Sequence, residues 1–468
     1  MSEELHYLGL LEVSERIRRR ELSSEAVTQA LLARIDRYEG RLHSILMLLA
    51  ETALLQARQA DAEIASGFWR GPLHGVPVAI KDLLWTADLP TTAGMEIMTS
   101  FRPTTDATVV KRLKAAGAVL IAKLNMSEGA TFAHHPAFPR PVNPWSAPHW
   151  TGVSSSGSGV APAAGFCYGA LGTDTGGSIR MPSAANNLTG IKPTWGRVSR
   201  HGLMHLAESL DHIGPMARST ADAAAILQVI AGADADDPTA LAEPVPDYLA
   251  ELNGGISGLV VGLDRAFAGD DMPEPIVAAV ENAAAVLTAL GARVRPIEFP
   301  RKDREGAEIM PLVLAELRAA HAERFPAQAD RYGPRLHAML SAAQGVDALS
   351  VVRAYQARDR FAGRLREVFG DVDLILTPGL GQILPTWDEI EACGDDYASL
   401  SRTLLRFTLP FNVAGAPTIS LPGGFTRDGL PIGVQLVGWR LAEPLLVRAG
   451  CAFQRATDFH TRRPPLDT

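Results

Sequence analysis

The stretch GTDTGGSIR, residues 172–180, places Ser178 directly after Gly176 and Gly177. A serine nucleophile needs a base for its proton and donors for the oxyanion it creates. Glycines permit the strained turn in which several backbone N–H groups point at one spot. The same residues also suit a plain turn with Ser178 capping a helix, and this stretch alone does not separate the two. A P-loop is excluded, because it needs Lys after its last Gly and Gly177 is followed by Ser178 and Ile179. In Gly157-Ser158-Gly159, Pro162 stands where a dinucleotide loop needs its third glycine.

A base for Ser178 is not obvious among the histidines. His201 and His205 have a metal-like spacing, but Gly202 stands where the metalloprotease pattern has Glu, so they read as loop or packing residues. No G-x-S-x-G elbow occurs; Gly152-Val153-Ser154-Ser155-Ser156 lacks its last glycine. Lysine is the better lead. It occurs only at positions 81, 111, 114, 123, 192 and 302, while Arg supplies most of the 44 basic residues. Lys81 closes the apolar run Val76-Pro77-Val78-Ala79-Ile80. Burial disfavours a charged amine, and a neutral lysine is a base, which arginine cannot become. An ion pair between Lys81 and its neighbour Asp82 accounts for the residue equally well.

The elements that must hold these groups alternate in type. Residues 76–80 and 118–122 read as buried strands, with a helix over 108–116 between them. Upstream, Ser24 is expected to cap a helix bearing Val27, Ala30, Leu31 and Ile35 on one face, followed by a helix over 50–64. Residues 139–159 read as a long irregular loop, and 160–170 as a tightly packed buried segment. Helices are expected at 221–231 and 275–290, and strands at 258–263, 373–377, 417–421 and 432–437. Residues 305–369 read as a charged helical layer. The alternation predicts an α/β fold.

Bulk composition narrows the function classes. The 468 residues are 47% apolar and 21% charged, with a net charge of −8, so no basic footprint for nucleic acid exists. Cys167, Cys393 and Cys451 are few and scattered, which points to a reducing compartment and not to a disulfide framework or zinc site. No apolar run approaches the roughly 20 residues of a membrane helix, and the N-terminal residues show no signal-peptide pattern. The expected location is the cytoplasm.

Three ordered motifs then combine. GPLHGVPVAIKD, TGVSSSGSGVA (151–161) and GTDTGGSIRMPSAANNLTGIKPTWGRVSRHGL (172–203) together resemble the amidase signature family of serine hydrolases. SLDHIGPMARS, APTISLP and GLPIGVQLVG extend the resemblance over most of the chain. It implies a single amidase domain over 1–468, with a central mixed sheet flanked by helices on both faces. It also implies a Ser–cis-Ser–Lys triad, carried here by Ser178 as nucleophile, Ser154 as bridge and Lys81 as base. Ser154 lies 24 residues before Ser178, which selects it over Ser155 and Ser156. The oxyanion hole falls on the backbone N–H groups of Thr175, Gly176, Gly177 and Ser178, with Asp174 and Arg180 as a supporting pair. The family's wall positions fall on Gly129, Ala130, Thr131 and Phe132. No cofactor or metal is implied.

The sequence departs from the family pattern in places. Val153 and Ser156 replace glycines beside the serine pair, and Ala185-Asn186-Asn187 stands where Phe-Cys-Gly is frequent, which is expected to reshape the pocket wall. The uncharged wall residues favour a neutral, hydrophobic or aromatic amide, with carbamate (urethane) or ester cleavage as a side activity. Residues 305–410 are expected to cover the site. Two alternatives stand beside this reading: the glutaminase subunit of a tRNA-dependent amidotransferase, which would need a partner, and an inactive binding protein on the same fold. A small-molecule substrate, no nucleic acid, no membrane, and a monomer or homodimer complete the expectation.

Overall fold

The computed structural model describes residues 5–300, 305–392 and 404–467. Its centre is one sheet of eleven strands: β1 (Ile45–Leu48), β2 (Pro77–Lys81), β3 (Val119–Leu124), β4 (Gly169–Asp174), β5 (Thr189–Lys192), β6 (His212–Ala217), β7 (Val260–Leu263), β8 (Arg293–Pro296), β9 (Leu374–Pro378), β10 (Thr418–Phe425) and β11 (Pro431–Gly438). Their spatial order is β1-β3-β2-β4-β6-β5-β10-β11-β9-β7-β8. Strands β3, β2 and β4 run parallel, as do β9, β7 and β8, and the pairs between these blocks are antiparallel. The sheet is therefore mixed, flanked by helices, as expected for the family.

Burial explains which strands are readable. β2 and β3 are buried along their whole length, so they appear in sequence as unbroken apolar runs. β5 and β6 are also buried but carry Gly, Pro and His, which weaken strand propensity and hide both from a reading of the sequence. Edge strands β1 and β8 are likewise absent from the sequence expectation.

Two local expectations are corrected. The first long helix, Ser24–Leu42, is capped by Ser23, whose Oγ accepts the Ala26 N–H at 3.0 Å. Ser24 is already helical and donates its own Oγ–H to Gly75 O at 2.6 Å. A helix runs over Ser156–Ala163, beginning inside the segment read as irregular and ending in the one read as tightly packed and buried. Its glycines disfavour helix in isolation, but every residue of it is buried, and a Cβ on Gly157 would lie 2.4 Å from Ser44 O. Packing, not propensity, decides that element. The helical layer after residue 304 resolves into Glu305–His321, Pro334–Ala343 and Ala348–Val368. Lys302, Cys393 and residues 393–403 of the expected cover lie outside the described residues.

Candidate active site

The parallel strands β3, β2 and β4 end on one side of the sheet, the usual place for a ligand in such an arrangement. Lys81 is the last residue of β2 and is fully buried. Its Nζ lies 2.8 Å from Ser154 Oγ, 3.0 Å from Ser155 Oγ and 2.8 Å from Thr173 Oγ1. Burial holds the amine well below its ordinary range, against the pull of Asp211 and Asp174 toward the charged form. Asp82 is not its partner. Asp82 Oδ1 is 2.7 Å from Lys123 Nζ, while Oδ2 accepts from Thr92 N at 2.8 Å. Lys81 thus has three hydroxyls around it and no hydrogen-bonded carboxylate.

The two serines are not equivalent. Ser155 Oγ donates to Thr173 O at 3.1 Å and accepts Thr173 N–H at 3.2 Å, so its proton is committed to the backbone of β4. Ser154 Oγ contacts only Lys81 among the described hydrogen bonds, so its proton can move. A neutral amine offers two N–H donors and one lone pair; with Ser155 committed, the hydroxyl that donates to the lone pair must come from Ser154 or Thr173. Gly152 carries this loop against the helix Arg180–Ala185 at φ +96, where a Cβ would sit 2.4 Å from Pro182 Cα. The cis peptide bond among the described residues is Phe325–Pro326, and the bond preceding Ser154 is trans, which differs from the family pattern.

Ser178 follows β4 in a turn and is 6% exposed. Asp174 clamps that turn: Oδ2 accepts Ile179 N–H at 3.1 Å, and the carboxylate pairs with Arg180 through Nε (2.9 Å) and Nη2 (2.8 Å). Burial alone would raise the Asp174 carboxyl, but Arg180 outweighs it and holds the group well below the usual carboxylate range. Arg180 also donates to Thr408 O at 2.8 Å and Gln435 Oε1 at 3.1 Å, which ties the turn to the C-terminal strands. Gly177 has φ +141, and a Cβ there would lie 2.3 Å from Met181 Cε. Among the described residues no protein acceptor meets the N–H of Gly176, Gly177 or Ser178, the donors that the resemblance assigns to an oxyanion. No hydrogen bond joins Ser178 to Ser154 here; such catalytic contacts commonly tighten only with substrate bound.

Ser178 opens into a cleft of about 630 Å³ including its mouth. Ala130, Thr131, Phe132, Val153, Thr175 and Gly176 line it near the nucleophile, and Ile309, Met310, Val313 and Met339 line it from the helices beyond residue 304. Among the described residues, none of those lining the cleft is ionisable. Gly129 is not in the lining; it sits behind the wall at φ +56, with Leu336 Cδ2 2.9 Å from where its Cβ would be. Two departures from the family pattern find partners: Val153 faces the cleft, and Ser156 Oγ lies 3.0 Å from His134 Nε2. Asn186 and Asn187 do not reshape this wall. They follow the helix Arg180–Ala185 at its far end and line a separate cavity of about 830 Å³ including its mouth, with Arg218 and Asp222. Asn187 holds φ +57, a conformation Asn tolerates.

His201 and His205 contact Thr108 Oγ1 and Asp211 Oδ2 at 3.2 and 3.1 Å, and no metal-binding group of His, Cys, Asp and Glu occurs among the described residues. Sequence reasoning misses Ser155, Thr173 and Asp211. Thr173 alternates with Asp174 on β4, and Asp211 lies in the quoted SLDHIGP motif, so both carry a usable signal.

A buried lysine beside a serine pair, and a glycine turn bearing a third serine, occupy the positions that the amidase resemblance picks out in the sequence. The family model named Amidase matches residues 26–447, and the chain belongs to that family of enzymes hydrolysing C–N bonds. It is 48% identical over 460 residues to "Putative amidase AmiD" of Mycobacterium tuberculosis, covering 98% of this chain and 96% of the relative. It is 39% identical to a glutamyl-tRNA(Gln) amidotransferase subunit of Chloroflexus aggregans, with 99% of each chain covered. The peptide amidase of Stenotrophomonas maltophilia superposes with a TM-score of 0.84 at 32% identity, covering 98% of this chain and 99% of that one. No helix among the described residues is long and apolar enough to cross a membrane.

Proposed function

We propose that the protein hydrolyses a neutral amide with a hydrophobic or aromatic acyl group, through an acyl-enzyme on Ser178. The observation that carries this is Lys81: fully buried, 2.8 Å from Ser154 Oγ and without a hydrogen-bonded carboxylate. Neutral Lys81 takes the proton of Ser154 as Ser154 takes that of Ser178. Ser178 Oγ attacks the carbonyl carbon. The N–H groups of the Thr175–Ser178 turn hold the oxyanion, and one such donor is worth on the order of 100- to 1000-fold in rate. The relay returns the proton to the leaving amine, and water then cleaves the ester. Aryl carbamates and esters present the same carbonyl and fall within reach of the same chemistry.

The substrate class follows from the cleft. Free glutamine carries an α-ammonium and an α-carboxylate, and the described lining residues offer neither charge a partner. That disfavours the glutaminase reading, which otherwise has the support of the amidotransferase relatives. The intact Lys81, Ser154 and Ser178 disfavour a role in binding alone. The test is labelling with an alkyl fluorophosphonate, compared in wild type and Ser178→Ala, followed by anilides, p-nitroanilides, aryl carbamates and glutamine side by side. Labelling lost in Ser178→Ala with turnover of the apolar amides supports the proposal. Label on another residue, or turnover of glutamine alone, overturns it.

A further inference from the structure

Asp211 is 3% exposed at its side chain and has no part in the steps above. It precedes β6 and reaches across to the turn after β4. Its Oδ1 accepts the hydroxyl of Thr175 and lies 3.4 Å from Ala207 N. Its Oδ2 accepts Leu206 N–H at 3.0 Å and lies 3.1 Å from His205 Nδ1. Thr175 in turn begins the oxyanion turn and lines the cleft. We propose that Asp211 is a positioning residue of the amidase reaction, anchoring the oxyanion turn through its bond to the Thr175 hydroxyl.

Two features separate this from a plain loop brace. The anchored residue is the first of the four whose N–H groups face the reacting carbonyl, so its hydroxyl contact fixes the turn at its entrance. The charge acts on the base as well: Asp211 and Asp174 are the two anions that pull Lys81 toward its protonated form. His205 and Arg200 are the charged or titratable groups facing Asp211 from its own loop, and Lys81 faces it from β2. Asp174 is already committed to Arg180.

The inference rests on the proposed Ser178 reaction, and the experiment reads the two apart. Fluorophosphonate labelling of wild-type Ser178 comes first; without it the reaction itself is wrong, whatever Asp211 does. Thr175→Val removes the hydroxyl and keeps the shape. It is expected to lower kcat about 10- to 100-fold with KM little changed, and Thr175→Ser is expected to restore it. Asp211→Asn keeps the size and a hydrogen bond to Thr175 but removes the charge. Lys81 then protonates less readily, so the acid limb of the kcat profile is expected to move down by about one pH unit. The proposal is overturned if Thr175→Val retains wild-type kcat.

Discussion

Lys123 takes Asp82 away from Lys81. The Lys123 ammonium lies 2.7 Å from Asp82 Oδ1, with both side chains buried, and it also donates to Thr91 Oγ1 at 2.7 Å. Successive residues at the end of β2 point to opposite sides, so the carboxylate nearest Lys81 in sequence is engaged elsewhere in space. Replacing Lys123 with Met leaves Asp82 charged, buried and unpaired. The expected cost is about 3–5 kcal/mol in a urea titration, while the fraction that remains folded still labels at Ser178.

The pH behaviour follows from Lys81. Burial depresses its folded pKa below the unfolded value, so the folded state favours the neutral amine. Activity is expected to hold at high pH and to fall as pH drops through that depressed value. The same linkage acts on stability: the folded state binds fewer protons than the unfolded one, so stability declines as pH falls from the unfolded lysine value toward the folded one. Lys81→Met removes this slope. Measured across pH, its stability relative to wild type is expected to rise on acidification, while kcat falls on the order of 100- to 10,000-fold. A parallel pair of stability curves would contradict a neutral Lys81.

Arg180 carries a different weight. It is fully buried and bidentate on Asp174, and its remaining donors reach Thr408, Asn412 and Gln435. Arg180→Ala strands the Asp174 carboxylate and is expected to cost about 3–5 kcal/mol, read from chemical denaturation. Arg180→Lys keeps the charge but cannot fork, so it should recover only part of the stability and leave kcat low.

Gly177 is expected to tolerate no side chain. At φ +141 an alanine is strained by about 1–3 kcal/mol, and its Cβ would also press on Met181 Cε and on Thr408 Oγ1, 2.8 Å away. Gly177→Ala should lower the melting temperature and slow fluorophosphonate labelling together. Gly429, with φ +82 and nothing within 4 Å of its would-be Cβ, serves as a control in which strain acts without a clash.

Much of this is legible in the residues because the relevant signals are local. The apolar run ending in Lys81 reads as a buried strand since β2 is buried on both faces. Gly177 before Ser178 is required by its φ of +141, which other residues rarely adopt. The helix over Ser156–Ala163 is hidden because packing, not propensity, makes it helical. β5 and β6 are hidden for a related reason: their glycines and proline lower strand propensity, and burial within the sheet overrides it. The choice between a base and an ion pair at Lys81 cannot be made from the sequence, since it turns on Lys123, 42 positions later. The position of Asn186 and Asn187 needs the length of the helix before them, which fixes the side from which they look out.

The reach of Arg180 to Thr408 and Gln435 has a consequence for the birth of the protein. The nucleophile turn leaves the ribosome early, but the contacts that set it belong to the segment before β10 and to β11. Until those strands are made and inserted between β5 and β9, Arg180 lacks half its acceptors and the sheet is open at its middle. The Ser178 turn is therefore expected to take its final shape only after the last strands close the gap, late in synthesis.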